Sequence, residues 1–272
     1  MSGCFVDTTV LVDVVEEREP GATAAQQFAK ANAPAQLPQY ALREFLAGRI
    51  GLLCDVHNRM LAADNVGEAL VALLKMPPVQ GRTLNSKQLE LATTLTKVLS
   101  PNKLQTAEDN KREILLDLQL RIARYWRRAR KISVFKTVQP LACVNLGEVV
   151  AEEGTDVLKG PNGHFSCNPA SRCAAAMYLY QHQVEIRKLI DALQPDNLEK
   201  SISSKQETVS RRKALKDLLN RGPDDFDKRR CRALGDAYFA LMSPAGFTVL
   251  TTNLSDHVPL CEALGKVAAS PP

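Results

Sequence analysis

Two β-branched apolar runs, one near each end of the chain, constrain the fold more than anything between them. CFVDTTVLVDVV (4–15) is followed by a polar stretch with Pro20 and Gly21, and FTVLTTNLSD (247–256) closes in polar residues. Short apolar runs bounded by turn residues read as buried strands of an α/β sheet. Asp7 sits inside the first run, where an ionised carboxylate is costly to bury unless something positive meets it. Its expected place is therefore the C-terminal end of the strand, where α/β sheets bind ligands.

The segments beside these runs read as helices. ATAAQQFAKANA (22–33) is helical by composition, and AQLPQYALREFLAGRIGLL (35–53) repeats Leu42, Phe45, Leu46 and Ile50 at helical spacing with Glu44 beside that stripe. DKRRCRALGDAYFALMSPAG (227–246) puts Leu234, Tyr238 and Leu241 on one face with Asp236 near them, and stops at Pro244 and Gly246. HVPLCEALGKVA (257–268) reads as a short closing helix. The two ends thus run β-α-α and α-β-α, and the pattern suggests one doubly wound sheet with Asp7, Glu44, Asp236 and Asp256 gathered at its strand ends.

In order and spacing these segments resemble the PIN-domain ribonuclease family, which includes the toxins of bacterial toxin–antitoxin pairs. The resemblance rests on V-D-T-x-V-L around Asp7, a lone Glu44 on the following helix, G-D-A-x-x-A-L around Asp236, and T-x-N-x-x-D from Thr251 to Asp256. It covers residues 3–50 and 227–266, and departs from the family in having His257 after the last acid and 191 residues between Glu44 and Asp236. What it implies is a three-layer α/β/α domain with a parallel sheet. That domain would be split into an N-terminal half (1–50) and a C-terminal half (227–272) around a mainly helical insertion (51–226).

It also implies Mg²⁺- or Mn²⁺-dependent cleavage of phosphodiester bonds, with RNA as the expected substrate. Hard divalent ions prefer carboxylate oxygens, supply a deprotonated water and neutralise phosphate charge. Converging acids repel one another, and a bound cation resolves that repulsion. On the resemblance, Asp7 and Asp236 are direct ligands, and Glu44 and Asp256 act directly or through water. Thr8, Thr251 and Asn253 orient bound water or the scissile phosphate. The alternatives are a DNA- or structure-specific nuclease and a weakly active PIN-like scaffold that binds RNA or a partner protein. An antitoxin-like partner and a homodimer are compatible with the same pattern.

The intervening residues read as helices at 66–76, 85–99, 107–135, 174–193 and 201–219. With net charge +5, what matters is where the basic residues sit, and they concentrate in two runs. Arg121, Arg124, Arg127, Arg128, Arg130 and Lys131 surround Tyr125 and Trp126, while Arg211 and Arg212 open SRRKALKDLLNR (210–221). Cations with interleaved aromatics suit a single-stranded nucleic acid, and a solvated helix face has the same composition. Seven scattered cysteines in a chain that opens without a basic n-region argue against a disulfide framework. Cys143, His164, Cys167 and Cys173 are candidate ligands of a structural zinc, with buried thiols as the alternative reading. No apolar run is long enough for a membrane span, and the expected setting is cytoplasmic.

Overall fold

The computed structural model describes residues 3–74, 107–139, 141, 145–165, 173–194, 202–224 and 228–272. Strand β1 (Cys4–Val6) leads into helices α1 (Thr8–Glu16) and α2 (Gly21–Ala31), then β2 (Ala35–Pro38) and α3 (Gln39–Phe45). A π-helical turn (Leu46–Ile50) continues into α4 (Gly51–Ala62), followed by α5 (Val66–Leu74), α6 (Ala107–Arg130) and β3 (Lys136–Val138). After β4 (Val150–Ala151) and β5 (Leu158–Lys159) come α7 (Ala174–Tyr180), α8 (Gln183–Ala192), α9 (Ile202–Arg221), α10 (Lys228–Ala233) and α11 (Gly235–Met242). The chain closes with β6 (Thr248–Leu250), α12 (Leu254–Ala263) and β7 (Val267–Ala269). The helix expected over 85–99 lies outside the described residues. Among the described residues no helix is long and apolar enough to cross a membrane.

Two compact units divide the chain. One holds Met1–Glu44, Ile132–Asn145 and Ser166–Pro272, and the other holds Phe45–Lys131 and Leu146–Phe165. These boundaries differ from a simple insertion over 51–226, because Ser166 onward belongs to the unit that contains the sheet.

The first unit is α/β, built on a five-stranded sheet in the order β3-β2-β1-β6-β7. Every neighbouring pair is parallel, consistent with a three-layer α/β/α arrangement. Parallel strands lie between layers and so read as unbroken apolar runs. Cys4, Phe5, Val6, Leu37, Val249 and Leu250 all have no solvent exposure. The chain leaves β1 on one side towards β2 and β3 and returns on the other as β6 and β7. Strand order therefore reverses between β1 and β6, the place where open α/β sheets form a ligand crevice beyond the strand ends.

The first run is shorter as a strand than its composition suggests. Extended structure stops at Val6, and Thr8–Glu16 is helical. Val10, Leu11, Val14 and Val15 are the buried residues of that helix, a 1-2-5-6 spacing that fits one helical face as well as it fits a strand. Asp7 caps the helix by accepting from the Thr9 N–H, and the capping preference of Asp decides where the strand ends. β2 and most of β7 fall in segments read as helical, and β3 begins just past the helix expected over 107–135. His182, with non-helical backbone angles, breaks the expected 174–193 helix into α7 and α8.

Aromatic packing fixes the helices that carry the distal acids. Phe5 meets Phe239 of α11 edge-on at 6.3 Å, and Tyr40 of α3 packs against Tyr238 of α11 at 5.0 Å. Lys266 locks the other end of α11. Its ammonium donates to the carbonyls of Ala240, Leu241 and Ser243 at 2.8, 2.7 and 2.6 Å, satisfying groups that a helix C-terminus leaves open.

In the second unit, α4 and α6 are linked through buried His57, whose Nε2 lies 3.1 Å from Gln119 Nε2. Asn58 clamps β5 by donating to the Leu158 carbonyl at 2.9 Å and accepting from its N–H at 2.8 Å. Replacing Lys266 with Met should lower the unfolding free energy by about 2 kcal/mol, because three half-buried carbonyls lose their donor. Substituting the exposed Val267 by Thr should change it by less than about 0.5 kcal/mol, and urea denaturation of the two variants gives the comparison.

Candidate functional site

The reversal point between β1 and β6 collects polar side chains from both strands. Asp7 follows β1 directly and its N–H donates to the Leu250 carbonyl at 2.9 Å, while Thr251 follows β6. One oxygen of Asp7, Oδ2, accepts from the Thr9 hydroxyl at 2.8 Å and from the Thr251 hydroxyl at 2.9 Å. Asp7 is 3% exposed and Thr251 fully buried, so the carboxylate is held by hydroxyls and not by bulk water.

Glu44 and Asp236 arrive from helices on the same side of the unit. Thr8 donates to Glu44 Oε2 at 2.7 Å, which ties α3 to the start of α1. Gly235 allows the approach of α11: a Cβ there would stand 2.9 Å from Glu44 Oε1 and 3.0 Å from the Tyr40 hydroxyl. Asp256, in the first turn of α12, accepts from Asn253 Nδ2 at 2.7 Å, and the Asn253 N–H donates to Thr251 Oγ1 at 3.0 Å. Asp7, Thr251, Asn253 and Asp256 are thus joined by hydrogen bonds around the β1 and β6 ends, and Thr8 with Glu44 makes a separate pair beside them.

Two basic side chains stand among the acids. The Arg211 guanidinium, from α9, reaches Asp236 Oδ2 with Nη2 at 2.7 Å. The same nitrogen donates to Asp256 Oδ2 at 3.0 Å, and Nη1 meets Asp256 Oδ1 at 2.9 Å. One nitrogen, Nη2, thus bridges two carboxylates, while Nη1 stands close to Asp256 as an ion pair without a hydrogen bond of its own among the described residues. His257 Nε2 lies 3.6 Å from both Asp7 Oδ2 and Asp236 Oδ1, so those two oxygens are no farther apart than the sum of the two distances. The histidine is 1% exposed, and its other ring nitrogen, Nδ1, has no hydrogen-bond partner among the described residues.

The electrostatics follow from this crowding. Burial pushes the Glu44 carboxyl up to about 8; the Thr8 hydrogen bond opposes it, and the neighbouring Asp236 and Asp7 charges add to it. Burial likewise raises Asp236; Arg211 and His257 oppose the rise, and the Asp7 and Asp256 charges add to it. Burial works against the charge on Arg211, but the surrounding Asp236 and Asp256 carboxylates outweigh it and hold the guanidinium above its usual range.

The donor set fits a hard divalent cation in kind, being four carboxylates with hydroxyl oxygens alongside. Yet no group of three or more His, Cys, Asp or Glu side chains among the described residues is arranged to hold a metal ion. Arg211 contacts both Asp236 and Asp256, and His257 approaches both Asp7 and Asp236. Arg211, His257 and Thr9 are the members that sequence reasoning missed. His257 was visible only as a departure from the family pattern, and Thr9 was overshadowed by Thr8. Nothing in the basic run distinguished Arg211 from the lysines and arginines beside it.

The expected nucleic-acid contacts divide by exposure. Arg124, Arg127, Arg130 and Lys131 face solvent, and Arg128 is half-buried. Arg121 is 7% exposed and pairs with Asp117, and Trp126 is 4% exposed with its indole N–H donating to the Gly147 carbonyl at 3.0 Å. Helical periodicity turns these two inward, so neither is presented for stacking or phosphate contact. Arg211 is committed to the acids, and Arg212 Nε donates to the Ile190 carbonyl at 3.1 Å. Within the second unit, Trp126, Arg127, Arg130, Lys131, Glu148 and Leu158 border a cleft of about 620 Å³.

Of the candidate zinc ligands, Cys143 and Cys167 lie outside the described residues. His164 is exposed, and Cys173 is a buried thiol whose Sγ accepts from the Ala176 N–H at 3.4 Å. That contact gives Cys173 a role in capping α7.

Glu44 makes stability pH-dependent in a stated direction. Its folded pKa lies above that of a free glutamate, so the folded state holds the proton more tightly and stability falls as pH rises from about 4.5 to about 8. In chelator, Glu44→Gln should be more stable than the parent at pH 8.5, with the gap shrinking steadily towards pH 5. A gap that does not change with pH in thermal melts would contradict the assignment. Comparison with known proteins found no match among family models, curated proteins or solved structures.

Proposed function

We propose that the chain is a Mg²⁺- or Mn²⁺-dependent endonuclease of PIN type that hydrolyses phosphodiester bonds, with RNA as the preferred substrate. The observation that carries this reading is the meeting of Asp7, Glu44, Asp236 and Asp256, with Thr8, Thr251 and Asn253, where a parallel sheet reverses its strand order. In this reading Asp7 and Asp236 hold the cation, and Glu44 and Asp256 hold it directly or through water. When bound, such an ion supplies an activated water and neutralises charge on the phosphate.

The remaining work falls to the chain's own side chains. Thr251 and Thr9 hold the Asp7 carboxylate by its Oδ2 atom and so fix the direction in which its other oxygen points. Asn253 does the same for Asp256, and Thr8 for Glu44. Glu44, with its raised pKa, is the group able to keep or release a proton near neutral pH. The exposed Arg127, Arg130 and Lys131 of the second unit are able to contact phosphates of either nucleic acid, and the preference for RNA rests on the family resemblance.

A second reading, a weakly active scaffold that binds RNA or a protein, is favoured by one observation: Arg211 already neutralises two of the acids. Incubation with single-stranded RNA and with duplex DNA under Mn²⁺ separates the readings. The endonuclease reading expects internal cleavage of RNA, lowered at least about 100-fold by Asp7→Asn and by Asp236→Asn, each. Cleavage that persists in both variants would remove the site assignment. An inert parent protein that still retains RNA would leave the scaffold.

A further inference from the structure

We propose that Arg211 is a built-in competitor of the divalent cation: the acidic centre takes up metal only in exchange for the Arg211 guanidinium. The inference rests on the endonuclease reading above and adds a residue that the resemblance does not supply. Three observations lead to it. A single nitrogen, Nη2, contacts Asp236 at 2.7 Å and Asp256 at 3.0 Å, so the guanidinium stands where one cation would bridge the same two carboxylates. Its side chain is 13% exposed, and that of Asp256 is 7% exposed, so little water is available to share the neutralisation.

The third observation is an exit. Glu207, one turn earlier on α9, lies 3.7 Å from the same Nη2 atom and is 66% exposed. A change in the Arg211 side-chain torsions would pass the guanidinium from the two buried acids to this surface carboxylate without moving the helix. Two states then exist for one side chain. In the inner state Arg211 bridges Asp236 and Asp256; in the outer state it pairs with Glu207 and leaves both acids open to a cation.

The exchange separates Arg211 from the neighbouring cations of α9. Arg212 serves a backbone carbonyl, and Lys213 and Lys216 face solvent. The state with Arg211 inside lowers the apparent affinity for metal by the fraction of molecules in which it is inside. A divalent ion must therefore do more than bind; it must displace an ion pair whose charges are already largely desolvated.

The test is Mn²⁺ binding by the full chain, followed by calorimetry and by the electron paramagnetic signal of free Mn²⁺. Arg211→Gln should bind Mn²⁺ at least about tenfold more tightly than the parent, with Arg211→Lys between them because a lysine keeps the charge but loses the planar guanidinium that bridges two carboxylates through one nitrogen. In chelator Arg211→Gln should melt lower than the parent, and Mn²⁺ should raise its melting temperature more than it raises the parent's. Equal or weaker Mn²⁺ affinity in Arg211→Gln, with binding to the parent intact, would overturn the exchange and leave the endonuclease reading standing. Absence of Mn²⁺ binding in parent and variants alike would overturn both. Should Arg211→Gln fail to fold, the parent labelled with ¹⁵N-arginine decides the matter. The Arg211 Nε–H resonance should move on addition of Mg²⁺, and a resonance unmoved at saturating Mg²⁺ would overturn the exchange.

Discussion

Carboxylates brought together away from water must be neutralised, and most of the first unit is organised around that requirement. Asp7 is held at the junction of β1 and α1 by its capping role, Glu44 and Asp236 by aromatic packing between α3, α11 and β1, and Asp256 by the Asn253 side chain. Each of these placements has a local cause. Their sum is a concentration of negative charge that no single placement explains. Three kinds of group answer it: threonine hydroxyls that donate to Asp7 and Glu44, the raised pKa of Glu44 that keeps a proton, and the Arg211 guanidinium across Asp236 and Asp256. A fourth, a divalent cation, is the one the proposed chemistry needs.

The β1/β6 reversal gives this concentration its location. Two strands that diverge in their connections leave the ends of their ladders open, and the residues just beyond Val6 and Leu250 enter that space together. Asp7 and Thr251 are joined there by a 2.9 Å hydrogen bond across 244 residues of sequence. Folding of the two chain ends into one sheet is thus a precondition of the site.

Much of this was legible from residue patterns, and the failures have physical reasons. Asp7 and Thr251 were identifiable because short apolar runs flanked by polar residues mark strand ends, whereas Glu44, Asp236 and Asp256 lie on helices and stood out only through the family resemblance. The length of the first strand was misread because Val10, Leu11, Val14 and Val15 suit a buried strand and a helical face equally, and the Asp7 cap decided between them. β2 and β7 were missed because their few residues sit within longer segments of helical composition, and β3 because three residues just past a long helix lack the β-branched run that marks β1 and β6. Charge runs misled in another way. A run of arginines fixes composition but not direction, and the helical turn sent Arg121 and Arg211 inward while Arg124 and Arg127 remained outside. The units also divide differently from the motifs, since α7, α8 and α9 belong with the sheet.

In the proposed centre a divalent cation and the Arg211 guanidinium compete for Asp236 and Asp256. The most direct measurement is the anomalous scattering of Mn²⁺ in crystals of the full chain grown with and without the ion. One manganese peak is expected in contact with Asp7 and Asp236, with the Arg211 guanidinium withdrawn from Asp256 towards Glu207. Manganese bound elsewhere, or an Arg211 still bridging Asp236 and Asp256 beside saturating Mn²⁺, would contradict it.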